Sequence, residues 1–347
     1  GGRVRLQLPF GLIGAGGFKN EFDKQIDPGT QLHQKHRFSG RTLTALSFDY
    51  QLALHSFQFF GESGITDNKG FGIISGLRIR PEFSTEIVLL YRKYGRKFQS
   101  IFGSAFGEQS GIPQNEEGFY FGIRQPINSK LLFAGYADQF HFPAPRFGTT
   151  QATNGFDWLA FAEYNPTREL NIYVLGRSKS RDDEFTSTDS FGRSIRITGK
   201  NSRTGLRLNF SYQATNAVRL QSRFEWVQSK TADHSVSEGY LFYQDIRITP
   251  VSNLQIDARI TLFDTDGFQS RIFQFESDLL HVFSNTALFD QGQRIYLVVK
   301  YSFFNNLDVQ GKIASSLFEN RNVISSGLNQ IDGNRRTDVG VLARLRF

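Results

Sequence analysis

Cysteine and methionine are both absent from this 347-residue chain. The lack of cysteine removes any disulfide framework, which fits an exported bacterial protein and is equally compatible with a cytosolic one. At Gly1 there is neither an initiator methionine nor a charged-then-apolar leader. The first residues are therefore expected not to be a native start: either a signal peptide has been removed or the chain is a piece of something longer. Long apolar runs are missing too. No stretch reaches the roughly 18 apolar residues of a membrane-spanning helix, which excludes helical spans. Aromatic residues, by contrast, are abundant: 36 Phe and 12 Tyr stand in a chain whose mean hydropathy is −0.35. Rich in aromatics yet polar on average is the composition a membrane β-barrel requires, because lipid-facing residues alternate with polar residues facing the lumen. A net charge of +7 suits nucleic acid, anionic lipid headgroups or anionic solutes. Its plainer reading is lumen-lining arginine paired with Asp and Glu.

The final twelve residues carry the alternation most openly. Thr337, Val339, Val341, Ala343, Leu345 and Phe347 alternate with Arg336, Asp338, Gly340, Leu342, Arg344 and Arg346. A strand sends successive side chains to opposite faces. One face here is apolar and ends in an aromatic, and the other carries arginines and an aspartate. A terminal Phe closing an alternating strand resembles the C-terminal targeting strand of bacterial outer-membrane barrels. That resemblance, rather than the alternation, implies a targeting role for Val339, Val341, Leu345 and Phe347.

The same rhythm runs back through the chain. Strand pairs are expected at 3–18 around Pro9, at 41–49 and 53–63 across Leu52, at 69–79 and 84–95 around Pro81, and at 117–126 and 129–140 around Asn128-Ser129. Further pairs follow at 155–164 and 169–180 around Asn165-Pro166-Thr167, at 202–213 and 217–229 around Ala214-Thr215-Asn216, and at 238–249 and 252–264 around Pro250. Pro, Asn, Ser and Thr at these points are tight-turn chemistry. Longer polar segments at 19–40, 96–116, 141–154, 181–201 and 230–237 separate the pairs. Short turns alternating with long loops is the pattern of outer-membrane barrels, short on the periplasmic side and long outside. Several faces are cleanly divided: Leu206, Leu208, Phe210 and Tyr212 oppose Arg203, Gly205, Arg207 and Asn209.

The last part reads as strands at 270–283, 292–304, 307–318 and 336–347. One inconsistency stands in that count. The short turn at Asn305-Asn306 follows an even-numbered strand when counted back from Phe347, whereas the earlier short turns follow odd-numbered strands. An extra reversal within 264–291, or an inward-folded segment such as Ser284–Gly292, is expected to account for it. The fold expected is all-β: a single domain over 1–347, an antiparallel transmembrane outer-membrane β-barrel contributing about 16–18 strands, each near the length a tilted span needs.

From residue 59 onward a set of short motifs appears. Phe59-Phe60-Gly61-Glu62 and Leu89-Leu90-Tyr91-Arg92-Lys93-Tyr94 are followed by Ala105-Phe106-Gly107-Glu108, Asn115-Glu116-Glu117-Gly118-Phe119-Tyr120-Phe121-Gly122 and Tyr136-Ala137-Asp138-Gln139-Phe140-His141-Phe142-Pro143. Leu262-Phe263-Asp264-Thr265-Asp266, Arg321-Asn322 and Ile331-Asp332-Gly333-Asn334 close the set. In this order they resemble the C-terminal β-barrel region of the Bacteroidota helix-hairpin-helix domain-containing outer-membrane proteins, over nearly all of 40–347. In that family a signal peptide, a helix-hairpin-helix segment and further strands precede this region. The resemblance implies that the chain is the C-terminal part of a larger barrel.

Charge and aromatics concentrate in 91–142. Arg92, Lys93, Arg96 and Lys97 precede a long loop holding Glu108 and Glu116, and Asp138 and His141 lie at the end of the strand pair that follows. Arg92, Arg96, Glu108, Glu116 and Asp138 form the candidate polar cluster of the lumen or its mouth. The favoured reading is a salt-bridged loop that closes the lumen; the functional one is a polar site at the extracellular mouth. His33 and His36 lack a third ligand for a metal. His281 and Ser284 are close in sequence, but nothing around them resembles a lipase motif. Gly14-Ala15-Gly16-Gly17 is followed by no helix, so a phosphate loop is not expected. No cofactor and no enzymatic activity are expected.

The function expected is a bacterial outer-membrane pore, transport or assembly platform. The alternatives are an outer-membrane component of DNA uptake and, behind it, a membrane-embedded hydrolase. The partners expected are the lipid bilayer and lipopolysaccharide, the barrel-assembly machinery, and DNA or periplasmic partners reached through a missing N-terminal region. DNA contact by this chain alone is disfavoured because Asp and Glu are mixed with the arginines rather than leaving a basic stripe.

Overall fold

The computed structural model describes residues 1–81, 84–101, 103–109, 113–303 and 306–346. Its main element is a seventeen-stranded antiparallel sheet in which sequence neighbours are also spatial neighbours. The wall begins with β1 (Gly2–Leu8), β2 (Gly11–Ile26), β3 (Gly40–Leu54), β4 (Phe57–Thr66), β5 (Gly70–Ile79), β6 (Glu86–Tyr94) and β7 (Glu116–Pro126). It continues through β8 (Leu131–Phe142), β9 (Thr153–Tyr164), β10 (Leu170–Thr188), β11 (Ser194–Thr215), β12 (Val218–Lys230), β13 (Val236–Val251) and β14 (Leu254–Thr265). A small hairpin, β15 (Ile272–Phe275) and β16 (Asn285–Leu288), interrupts the wall, which resumes with β17 (Gln291–Phe303) and β18 (Leu307–Phe318). A second small pair, β19 (Val323–Ile324) and β20 (Ile331–Asp332), precedes the last wall strand, β21 (Arg335–Leu345).

The wall is inside-out relative to a water-soluble sheet. One cross-strand row runs Val174, Leu208, Phe224, Phe242 and Leu262 over five neighbouring strands, and each of these side chains is 42–50% exposed. One residue along, the row Asn209, Arg223, Tyr243, Thr261 and Arg294 points to the other face. There Asn209, Tyr243, Thr261 and Arg294 are buried. Apolar residues outside and polar ones inside is the arrangement for a wall whose solvent is hydrocarbon. Backbone groups satisfied strand to strand are the second requirement of that solvent. The fold is thus an all-β, antiparallel barrel wall, as the alternation predicts.

The wall is not closed. Among the described residues β1 pairs only with β2, and β21 only with β18. Because an odd number of antiparallel strands separates the two edges, β1 and β21 run in the same direction.

The inconsistency in strand parity disappears in the structure. Residues 270–283 are not a wall strand: β14 is paired directly with β17, and everything from Asp266 to Asp290 is one connection that folds away from the wall. The expected inward segment is therefore real but longer than Ser284–Gly292. With that strand removed, the β17–β18 connection falls on the same side as the short turns of β1–β2, β3–β4, β7–β8, β9–β10, β11–β12 and β13–β14, and the chain end after β21 lies on that side too; the three-residue turn 67–69 between β4 and β5 lies on the other. Phe347 itself, Phe304 and Asn305 lie outside the described residues.

Two further expectations are corrected. The β3–β4 turn is at His55-Ser56 rather than across Leu52. Leu52 is held in the ladder between Gly11 and Phe59, and His55 supplies the positive φ of 53° that a two-residue hairpin needs. The segment 181–201 is mostly strand: β10 and β11 stay paired from Arg181↔Asn201 to Thr188↔Ser194. This extension passes beyond the apolar band, where both faces are wet and no alternation is imposed, so its charges read as a loop.

Candidate functional site

The concave face is organised around two segments that turn inward, both from the long-loop end. The first joins β6 to β7 and spans 95–115. Arg92, on β6, is fully buried. Its Nε donates to Glu116 Oε1 at 2.7 Å, and Nη1 and Nη2 donate to Asp138 Oδ1 and Oδ2 at 2.7 and 3.1 Å. Asp138 lies two strands away on β8. The guanidinium reaches it by lying over Gly118, the β7 residue directly opposite Arg92. A Cβ on Gly118 would stand 2.5 Å from Arg92 Cζ, so only glycine leaves room for this bridge.

Glu116 then catches the inward loop. Its carboxylate accepts the backbone N–H of Glu108 at 2.9 Å and that of Gln109 at 3.2 Å. Phe106 stacks on the far side, its ring 5.1 Å from Arg92 Cζ, and Tyr94 Oη donates to its carbonyl at 2.8 Å. The Glu108 side chain reaches along the concave face to Lys179 on β10, with Nζ–Oε2 at 2.5 Å. Four of the five candidate cluster residues therefore meet: Arg92, Glu108, Glu116 and Asp138. Arg96 does not join them. It donates to the Pro143 carbonyl at 2.7 Å, tying neighbouring loops at the mouth. His36, in loop 27–39, lies in that mouth region. Partial burial, together with the charges of Arg96, Lys35 and Lys97, holds its imidazole below the usual value.

The second segment, 266–290, carries the β15–β16 hairpin. Glu276 is fully buried. Arg294 of β17 grips it with two bonds, Nε–Oε1 at 2.5 Å and Nη2–Oε2 at 3.0 Å. Lys312 of β18 bridges Glu276 and Asp278 at 3.1 and 2.6 Å. Arg259 of β14 pairs with Asp245 of β13 and donates through Nη1 to the Phe275 carbonyl at 2.7 Å. Its guanidinium also lies 3.9 Å from the Tyr243 ring centroid. Ile272 and Leu288, both under 3% exposed, join Val227, Leu241, Tyr243, Phe263, Phe318 and Ile324 in an apolar cluster.

Sequence reading missed this second latch. Glu276 and Asp278 sat in a segment assigned to a wall strand, and the cations that hold them come from strands 18 and 36 residues downstream of Glu276. A run of acids inside the misfitting segment 264–291 was the one available signal. Of the other residues singled out, His281 and Ser284 make no hydrogen bond to each other among the described residues. His141 pairs through Nδ1 with Asn154 Oδ1 at 2.8 Å. On the last strand, Val339, Val341 and Leu345 are 71, 75 and 51% exposed on the apolar face. On its other face Arg344 and Arg346 converge on Asp308, Arg346 at 2.7 Å.

No family model matches the chain, and no curated protein matches it. Among solved structures it is similar to OmpT, an outer membrane protein of Vibrio cholerae, at 9% identity over 98% of both chains with a TM-score of 0.42. It is also similar to an anion-selective porin from Comamonas acidovorans, at 12% identity over 100% of this chain and 99% of that one, TM-score 0.42. A third similar structure is the copper transporter OprC, at 8% identity, where 90% of this chain spans 58% of the other, TM-score 0.45.

Proposed function

We propose that the chain forms the wall of an integral bacterial outer-membrane channel for polar solutes, with a lumen held narrow by two of its own segments. The observation that supports this reading most is the pairing of an exposed apolar convex face with a concave face whose buried side chains are ion-paired to inward-folded chain. A latch of ion pairs across a water-accessible interior can be released without unfolding the wall. Under this reading the short turns face the periplasm and the long loops the outside. The lipid bilayer and lipopolysaccharide contact the apolar face, and the barrel-assembly machinery reads β21.

Hydrocarbon does not tolerate unpaired strand edges, so the free edges of β1 and β21 are covered in the membrane. An all-antiparallel completion takes an odd number of further strands, whereas direct closure makes a parallel pair. Because the chain has no cysteine, Leu6→Cys with Val341→Cys separates the two: a disulfide within one chain means direct closure. For the channel itself, the test is conductance of the refolded chain in a planar bilayer, expected low in the native protein and raised in Arg92→Met. Silence of both would overturn the reading.

A further inference from the structure

A recess of about 770 Å³ lies on the concave face over β10–β12, between the two inward segments: Lys179, held by Glu108 of the first, borders it, as do Gln269 and Phe273 of the second. Six cations border it: Arg177, Lys179, Arg181, Arg203, Arg207 and Lys230. Among the described residues, Glu225 is the one carboxylate on its border. It takes both hydrogen bonds of Arg207, at 2.8 and 3.0 Å. Arg177 is paired with Asp157 at 2.7 Å. Lys179 is held by Glu108 at 2.5 Å and sits 3.8 Å from Asp157.

Two cations on this face are left over. Arg203 donates to the carbonyls of Gln269 and Arg271, which orient it without neutralising it. Arg181, on the inner face of β10, forms no ion pair among the described residues; Lys230, level with Ser202 and Ser180, belongs to the outward face of the wall. Asp183, two residues along β10 from Arg181, is engaged with Asn201 at 2.8 Å and lies 3.7 Å from Arg146. Ser229, level with Arg203, shares this face, and Leu175, Val227 and Phe273 give the recess an apolar part. Arginine forks beside a serine donor suit the oxygens of a phosphate, and the apolar part suits an organic group attached to it.

We infer that this recess binds a soluble multivalent oxyanion of the phosphate-ester class, and that the Glu108 carboxylate is its internal competitor for Lys179. The inference rests on the channel reading only in requiring that the concave face be wet. Since Glu108 belongs to the inward segment 95–115, occupation of the recess and release of that segment favour each other, a coupling that works in both directions.

The test is calorimetric titration of the full chain, folded in detergent at low salt, with inorganic pyrophosphate. Binding is expected, weakening as salt screens the charges. Arg181→Gln with Arg203→Gln is expected to weaken it by about tenfold or more, in line with loss of charge-assisted bonds. Should the double variant not fold, Arg181→Gln alone reads the same effect at smaller size. Glu108→Gln is expected to tighten binding. Absent binding, or affinity unmoved by both the cation variants and Glu108→Gln, would overturn the site. Binding without conductance in a bilayer would instead sink the channel reading and leave the site standing; conductance without binding would do the reverse.

Discussion

The two inward segments are latched by opposite means. Segment 95–115 brings mostly backbone to its latch. The charges that hold it, Arg92, Glu116 and Asp138, belong to wall strands, and the loop contributes the N–H groups of Glu108 and Gln109. Segment 266–290 brings the acids, Glu276 and Asp278, and the wall supplies Arg294 and Lys312. It also brings Ile272 and Leu288 into an eight-residue apolar cluster, whereas the apolar contacts of 95–115 are separate rings, Phe98 over Gly64 and Gly72 and Phe106 against Tyr120. One segment is held chiefly by an electrostatic knot with scattered ring and backbone contacts, and the other by a knot and a packed face together. The first is therefore expected to be released more readily than the second.

Removing one partner from the knot should show this contrast at its largest. Arg92→Met leaves Glu116 and Asp138 buried without their cation, a change of about 3–5 kcal/mol. Limited proteolysis is expected to cut within 95–115 in the variant and to spare the native chain. Gly118→Ala is expected to copy this phenotype, because its methyl group takes the place of the guanidinium. Cleavage no faster than in the native protein would break the comparison.

A smaller effect is expected at the other latch. Glu276→Gln keeps the shape but removes the charge facing Arg294 and Lys312, for a loss of about 1–3 kcal/mol. Hydrogen exchange of the 272–288 amides should quicken only modestly while the apolar cluster keeps the hairpin docked. Adding Leu288→Ala, which costs a further ~2–5 kcal/mol at a buried position, should release it. Full exchange in Glu276→Gln alone would show that the packed face contributes little.

Salt should separate the segments less strongly. The Lys179–Glu108 pair is partly open, with the Lys179 side chain 38% exposed, whereas Glu276 is sealed. Raising ionic strength shortens the screening distance from about 10 Å to about 3 Å. Protease sensitivity of 95–115 is expected to rise first, with 266–290 unaffected over the same range.

The smallest effect belongs to pH at the mouth. His36 has its charged form penalised by burial and by Arg96, Lys35 and Lys97. Above the ordinary histidine value of 6.5 it is neutral in the folded and unfolded chain alike, and costs nothing. As pH falls through 6.5 the unfolded chain takes up the proton first, so stability is lost on acidification. A thermal melt should drop slightly more between neutral and mildly acidic pH in the native protein than in His36→Asn. Equal drops would remove His36 from the account of the mouth.

The wall was legible in the sequence because hydrocarbon on one side imposes a period of two, and residues such as Leu206–Tyr212 obey it along whole strands. Where that constraint lapses, legibility lapses with it. The β10–β11 extension has water on both faces, so Arg181–Glu184 gave no alternation to read. Segment 266–290 keeps a strand-like pattern in 272–275 because it packs against the inner wall rather than lying in it. The first latch could be anticipated because Arg92, Glu116 and Asp138 lie within one crowded stretch. The second could not, since Glu276 meets its cations only through the register of β17 and β18.

The most direct test is a cysteine scan of β11 in liposomes, made possible by the absence of native cysteine. Single cysteines at 205–212 would carry a fluorophore challenged by a lipid-phase quencher and by an aqueous one. Positions 206, 208, 210 and 212 should be quenched from the lipid, and 205, 207, 209 and 211 should be shielded from it. Loss of that two-residue alternation, or its reversal, would contradict a membrane wall with a polar, loop-latched interior.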